Sequence, residues 1–204
     1  LIFEDKGGKN LHLEHIEDEI HNYGVDEGRA TINFVRSLRD MFAGATRSSI
    51  NMTVKWDGAP AIFAGIDPED NKFFVGKKSV FNVEPQLYKT NADIDKYTSG
   101  DLNAKFKVAL REFPKLGIKG VLQGDLMFTD DVSTTSIDGK KYYTFQPNTI
   151  LYAVDVDSDF GRQVKSAKIG VVWHTTYTGS DLQSMKASFG VNISGLKKTK
   201  SVWM

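Results

Sequence analysis

The sequence predicts an α+β protein with a largely antiparallel sheet, and three observations predict it. Two apolar stripes at helical spacing open the chain, strand-like apolar runs fill most of the remainder, and single helical stripes interrupt those runs. In chain order, Leu13, Ile16, Ile20 and Tyr23 followed by Gly24 make the first helix with its stop. Phe34, Val35, Leu38, Met41 and Phe42 followed by Gly44 make the second, with Asp26 as its cap. These two form a helical hairpin over residues 1–48, expected to pack on a core domain of residues 49–204. Residues 50–81 read as strands, with Asp67-Pro68-Glu69-Asp70-Asn71 as a turn among them. Leu102, Phe106, Ala109, Leu110 and Phe113 form a third helical stripe, ended by Pro114 and Gly117. Strand-like runs follow at 120–128, 141–145, 150–156 and 169–177. Ser180-Asp181 then opens a short helix carrying Leu182, Met185 and Phe189, stopped by Gly190.

Composition bounds the function. The 204 residues, 40% hydrophobic and 25% charged, suit one full core, and 26 basic residues against 26 acidic ones leave no net field toward nucleic acid or membrane. Any polyanion site therefore comes from local clusters, at Lys77-Lys78 and at Lys197, Lys198 and Lys200. No cysteine is present, so disulfides and thiolate metal sites are excluded. No run reaches the roughly 20 apolar residues of a membrane span and no secretory leader precedes the helices, which reads as a soluble, cytoplasmic protein. A chain from Leu1 to Trp203-Met204 reads as part of a longer polypeptide, with a further C-terminal domain expected.

The chemistry is expected at Val54-Lys55-Trp56-Asp57-Gly58-Ala59-Pro60. Ile50, Met52 and Val54 alternate with Asn51, Thr53 and Lys55, so the apolar side chains take one sheet face and Lys55 the other. Gly58 permits close backbone approach and Pro60 stiffens the exit, which presents one amine on a rigid corner. The plain alternative is an exposed lysine beside an ordinary Asp-Gly turn.

The tetrad Lys55-x-Asp57-Gly58 resembles the signature of the covalent nucleotidyltransferase superfamily, which comprises the ATP-dependent DNA and RNA ligases, the NAD-dependent ligases and the capping enzymes. Three further segments stand in the family's order. Asn71 to Phe81, with Lys77-Lys78-Ser79, is similar to the basic stretch lining the nucleotide pocket of RNA ligases. Val121-Leu122-Gln123-Gly124-Asp125-Leu126 looks like the Gly-Glu-Leu strand, and Thr149 to Val156, ending at Asp155, like the aromatic strand that walls the purine. Lys198-Thr199-Lys200 matches the final Lys-x-Lys that clamps the triphosphate. At the family's Glu-Gly-x-Val element the chain has Ile169-Gly170-Val171-Val172, with isoleucine where a metal-binding glutamate stands. The whole chain also looks like an uncharacterised protein family of tailed bacteriophages.

The resemblance implies a ligase adenylation-domain-like fold, ATP and Mg²⁺ as cofactors, and a 5′-phosphorylated nucleic acid end, RNA in preference to DNA, as partner. It makes Lys55 the nucleophile that forms a phosphoramidate with AMP and Asp57 its orienting partner in catalysis. Gly58, Lys77, Lys78, Asp125, Asp155, Lys198 and Lys200 would bind nucleotide, with Asp125 also on the metal. The isoleucine at 169 implies a weak or altered metal site, in which nucleotide binding outlasts catalysis. A structural or nucleotide-binding phage protein that keeps the fold without the activity is the alternative, and a GTP-using capping enzyme is a second enzymatic one. His12, His15 and Glu19 lie at helical spacing and could share a metal, although a solvated charged face explains them as well. His174, in a β-branched run, reads as a satisfied strand histidine.

Overall fold

A computed structural model describes residues 24–44 and 54–204, and the chain divides into two compact units, Leu1–Lys55 and Trp56–Met204. In the first unit, α1 spans Val25–Phe42. It begins after Gly24, so Asp26 lies inside the first turn and pairs with Arg29 at 3.3 Å, where a carboxylate favours the helix dipole without capping it. The first expected helix, with His12, His15 and Glu19, falls outside the described residues, as do Ile50 and Met52.

The second unit is built on a six-stranded sheet. Its strands are β1 (Ala61–Ile66), β2 (Phe73–Gly76), β3 (Val121–Phe128), β7 (Ile169–Thr178), β8 (Lys186–Phe189) and β9 (Val202–Trp203). The order is β2-β1-β3-β7-β8, all antiparallel, and β9 pairs with the start of β7 in parallel. A separate antiparallel sheet contains β4 (Ser133–Ile137), β5 (Lys140–Phe145) and β6 (Tyr152–Asp155). Asp138 and Gly139, both at positive φ, form the two-residue turn that a tight hairpin between β4 and β5 demands. The α+β class with antiparallel pairing is therefore the architecture of this unit.

Helices α2 (Asn91–Tyr97), α3 (Gly100–Glu112) and α4 (Asp159–Ser166) complete it. Thr90 and Asp93 cap α2 reciprocally, and Ser158 caps α4 through the Gly161 N–H. The expected stripe of α3 is confirmed: Phe106, Ala109 and Phe113 lie in the main core with Ile62, Ala64, Leu122, Leu126, Ile169, Val171 and Trp173 of the large sheet. The helix expected over 180–189 is instead a turn followed by β8. Asp181 accepts hydrogen bonds from the Ser184 N–H and hydroxyl, and Ala187 and Ser188 pair with Tyr177 and Thr176. Leu182 and Met185 are buried as their apolar spacing required, but strand pairing overrode the helical period.

Candidate functional site

Alternation along β3 sorts the site. Leu122, Gly124 and Leu126 face the helices, whereas Val121, Gln123, Asp125 and Met127 face the other way. On that second face Val121 joins an apolar cluster with Phe63, Phe74 and Tyr177, and Met127 joins another with Phe128, Phe145 and Trp203. Between these two clusters lies a polar strip, Gln123 and Asp125 on β3 and His174 on β7.

His174 stands beside this strip at a β-bulge. Gln123 pairs with Thr175 and Gly124 with Trp173, so the register steps over His174 and leaves it as the extra residue. Gly124 makes room for the bulged backbone, since a Cβ there would stand 2.6 Å from the Val172 carbonyl oxygen. The His174 Nδ1 lies 2.8 Å from the Thr175 hydroxyl, and Nε2 lies 3.6 Å from Asp125 Oδ2. The side chains of His174 and Asp125 are 37% and 27% exposed, which leaves both open to a ligand. Farther along the strip the Tyr177 hydroxyl donates to Gln123 Oε1 at 2.8 Å, and burial pushes the Tyr177 phenol up to about 12.

The segment ahead of β1 lies directly on Asp125. The Ala59 N–H donates to the Leu126 carbonyl at 2.9 Å and the Leu126 N–H to the Pro60 carbonyl at 3.1 Å. A Cβ at Gly58 would stand 2.6 Å from the Asp125 Cβ, so glycine is what lets the two strands' side-chain planes meet here. Just before it, Asp57 is enclosed by the loop between β5 and β6. Its Oδ1 accepts from the Asn148 amide at 2.9 Å, and its Oδ2 accepts from the Thr149 N–H at 3.0 Å, the Thr149 hydroxyl at 2.7 Å and the Ile150 N–H at 3.2 Å. The Thr149 hydroxyl foremost, then the Asn148 amide and the two backbone donors, hold this carboxyl at about 2 against an ordinary 3.8. The Asp57 N–H donates to the Tyr152 hydroxyl at 2.8 Å. Asp57 is thus ionised and saturated with donors, the condition of a group that fixes a turn.

The other sequence-predicted residues are distributed differently. Lys55, exposed, ends the first unit. Lys77 and Lys78 follow β2, where Lys77 precedes a 3₁₀ turn over Lys78–Phe81. Asp155 belongs to the smaller sheet, and its Oδ1 accepts the Asp157 N–H in the turn before α4. Lys198 and Lys200 are exposed in the segment ahead of β9, next to Lys197, whose N–H donates to Leu116 on the helix side. The aromatic strand packs internally, with Tyr152 against Trp56 at 5.2 Å and stacked on Phe145 at 5.5 Å.

Ile169 requires a correction. It is fully buried in the helix-side core beside Val171 and Trp173, on the sheet face opposite Asp125. A carboxylate at 169 would enter the core and not the strip. The residue that β7 does bring to Asp125 is His174, which sequence reasoning assigned to a satisfied strand position. Alternation turns it to the face of Val172, but that this face carries Asp125 depends on the pairing of β3 with β7.

One carboxylate beside one imidazole is a donor set that fits a divalent cation retaining water or phosphate oxygens in its remaining positions. Among the described residues no group of three or more His, Cys, Asp or Glu side chains is arranged around a common point, and no helix is long and apolar enough to cross a membrane. Residues 10–204 match the model of a family of unknown function, DUF6267, and the chain belongs to that family. No curated protein and no solved structure matches it.

Proposed function

We propose that this DUF6267 member is an ATP-dependent RNA ligase-like adenylyltransferase, DNA being the second choice of acceptor, with Lys55 as nucleophile. The observation that carries the reading is the capture of Asp57 by Asn148, Thr149 and Ile150 together with the seating of Gly58 on Asp125. Gly58 thereby lies against the Gly-Asp strand, and Asp57 is fixed by the loop that leads into the aromatic strand, segments the resemblance would bring together. A fixed turn two residues after a lysine is what a preorganised nucleophile needs. The antiparallel sheets correspond in this reading to a ligase adenylation domain.

In the proposed reaction the neutral Lys55 Nζ attacks the α-phosphorus of ATP, a P–N bond forms, the bond to the β-phosphate oxygen breaks, and pyrophosphate leaves with the amine proton passing to solvent. The lysyl-AMP then gives its nucleotide to a 5′-phosphate oxygen of an RNA end, which restores the amine. A divalent cation at Asp125 supplies charge neutralisation on the phosphates. Asp57 keeps the turn in place, and Gly58 keeps side chains off Asp125. The reading places the protein in the host-cell cytoplasm if it is phage-encoded.

A second reading, a phage structural or nucleotide-binding protein that keeps the fold without turnover, is favoured by the full engagement of the Asp57 carboxylate with Asn148, Thr149 and Ile150, which suits a group that fixes a turn. Intact mass after incubation with ATP and with GTP separates the two. The enzyme gains one AMP, Lys55→Ala gains none while its circular dichroism is unchanged, and GTP gives no adduct. An adduct that persists in Lys55→Ala overturns the nucleophile, and ATP binding without any adduct establishes the second reading.

A further inference from the structure

We propose that His174 and Asp125 together form a two-ligand site for a borderline divalent cation of the Mn²⁺ or Zn²⁺ class, in preference to Mg²⁺. The inference deepens the adenylyltransferase reading by changing the metal's chemistry, and it stands on geometry within the Trp56–Met204 unit. The 3.6 Å between Nε2 and Oδ2 is longer than a direct hydrogen bond of about 2.7–3.2 Å. Two ligand atoms at about 2.0–2.2 Å from one tetrahedral ion stand about 3.4 Å apart, so the gap is close to the span one such cation bridges.

The imidazole is also held as metal-binding histidines are held. Nδ1 lies 2.8 Å from the hydroxyl of Thr175, which is only 1% exposed, so the ring orientation that turns Nε2 toward Asp125 is fixed by the core. In the tautomer that carries its proton on Nδ1, the Nε2 lone pair and the Asp125 carboxylate oxygen repel one another unless a cation lies between them. Alternation from Val172, which pairs with Asp125, turns His174 to the same face, and the bulge that follows adds Thr175 beside it. Both side chains are open enough to leave coordination positions for water or a nucleotide's phosphate oxygens. Mg²⁺ takes oxygen ligands almost exclusively, whereas imidazole favours the transition series, and that difference sets the selectivity.

The test is metal binding by the full chain with no nucleotide present, so that its failure is independent of whether Lys55 becomes labelled. Electron paramagnetic resonance of added MnCl₂, with ZnCl₂ and MgCl₂ as competitors, reads occupancy directly. One Mn²⁺ site is expected, displaced by Zn²⁺ and at least about tenfold less readily by Mg²⁺. His174→Ala and Asp125→Asn should each weaken Mn²⁺ binding by about tenfold or more, and Thr175→Val, which removes only the positioning hydroxyl, by about tenfold with the fold retained. The double variant His12→Ala/His15→Ala should bind as the native chain does. Absence of Mn²⁺ binding, Mg²⁺ competing equally, or a site that vanishes with His12 and His15 and survives His174→Ala overturns the proposal.

Discussion

The two faces of the large sheet are built from the same strands and differ in what they tolerate. Toward α2 and α3, Ile62, Ala64, Val75, Leu122, Leu126, Ile169 and Val171 are buried with no charged side chain in their cluster, its polar atoms being the Tyr88 hydroxyl and the indole N–H of Trp173, which packs edge-on to Phe113 at 5.1 Å. On the opposite face two apolar clusters are separated by Gln123, Asp125 and His174. A sheet that needed only stability would have continued the apolar pattern across that gap, since each buried aliphatic side chain contributes about 1.5–3 kcal/mol. The polar strip is therefore the part of the fold that packing does not explain. Local sequence–structure consistency fails there in the way expected of a functional surface.

The contrast predicts its largest effect at Ile169→Glu. The sequence resemblance alone would make this a repair of a metal site; the structure makes it a charge in the core with no partner. A loss of about 3–5 kcal/mol, or failure to fold, is expected in urea denaturation, with no gain in metal binding. A stable Ile169→Glu with tighter Mn²⁺ binding would show that the two faces have been assigned the wrong way round. Next in size is Gly58→Ala. Its Cβ would meet the Asp125 Cβ at 2.6 Å and the Leu126 carbonyl oxygen at 3.0 Å, so backbone must shift, at about 1–3 kcal/mol. Displacement of Asp125 should then weaken Mn²⁺ binding as well, a coupling that a substitution on the helix face would lack.

The Asp57 clasp gives a pH prediction. Its folded value of about 2 lies below the ordinary 3.8, so its contribution is present above about pH 4 and is lost as pH falls through 2. Glu112 titrates in the same window: burial works to raise its carboxyl, but Arg111, Lys115 and Ser201 overcome that and hold it at about 2. Acid unfolding of the native chain should steepen between pH 4 and 2. Asp57→Asn should make that limb shallower and lower stability above pH 4, and an unchanged limb would show that the clasp forms in the unfolded chain too.

Much of this was legible in the residues. The runs that became β1, β2, β3, β5, β6 and β7 carry apolar or aromatic patterns dense enough to survive tertiary context, and α3 announces itself by Leu102, Phe106, Ala109 and Phe113. Strand β4 did not, because all five of its residues are exposed and Ser133-Thr134-Thr135-Ser136 offers no apolar alternation. Helices α2 and α4 were not expected, being only seven and eight residues long, and the helix read over 180–189 failed because Leu182, Met185 and Phe189 satisfy a helical period by chance. Within the candidate site, Asp125 and Gly58 stand out by residue type, but their contact requires the pairing of β1 with β3, at a sequence distance no local pattern spans. His174 meets Asp125 only through the pairing of β3 with β7, and Asp57's partners lie some ninety residues downstream.

The smallest stability effect is expected in the strip itself. Asp125→Asn keeps the side chain's shape and its contact with Gly58, and removes only a 3.6 Å approach to an imidazole that is itself 37% exposed. An exposed pair of that geometry contributes at most about 1 kcal/mol, so Asp125→Asn should lie within about 0.5 kcal/mol of the native chain in metal-free buffer. His174→Ala removes the partner of the buried Thr175 hydroxyl, yet the opening left by the ring admits water, and a loss below about 1 kcal/mol is expected. The double variant should be additive in metal-free buffer and non-additive when MnCl₂ is present, because only the cation couples the two side chains. Strong coupling without metal would make the strip a structural ion pair, and the distinction between the two sheet faces would then be one of packing chemistry alone.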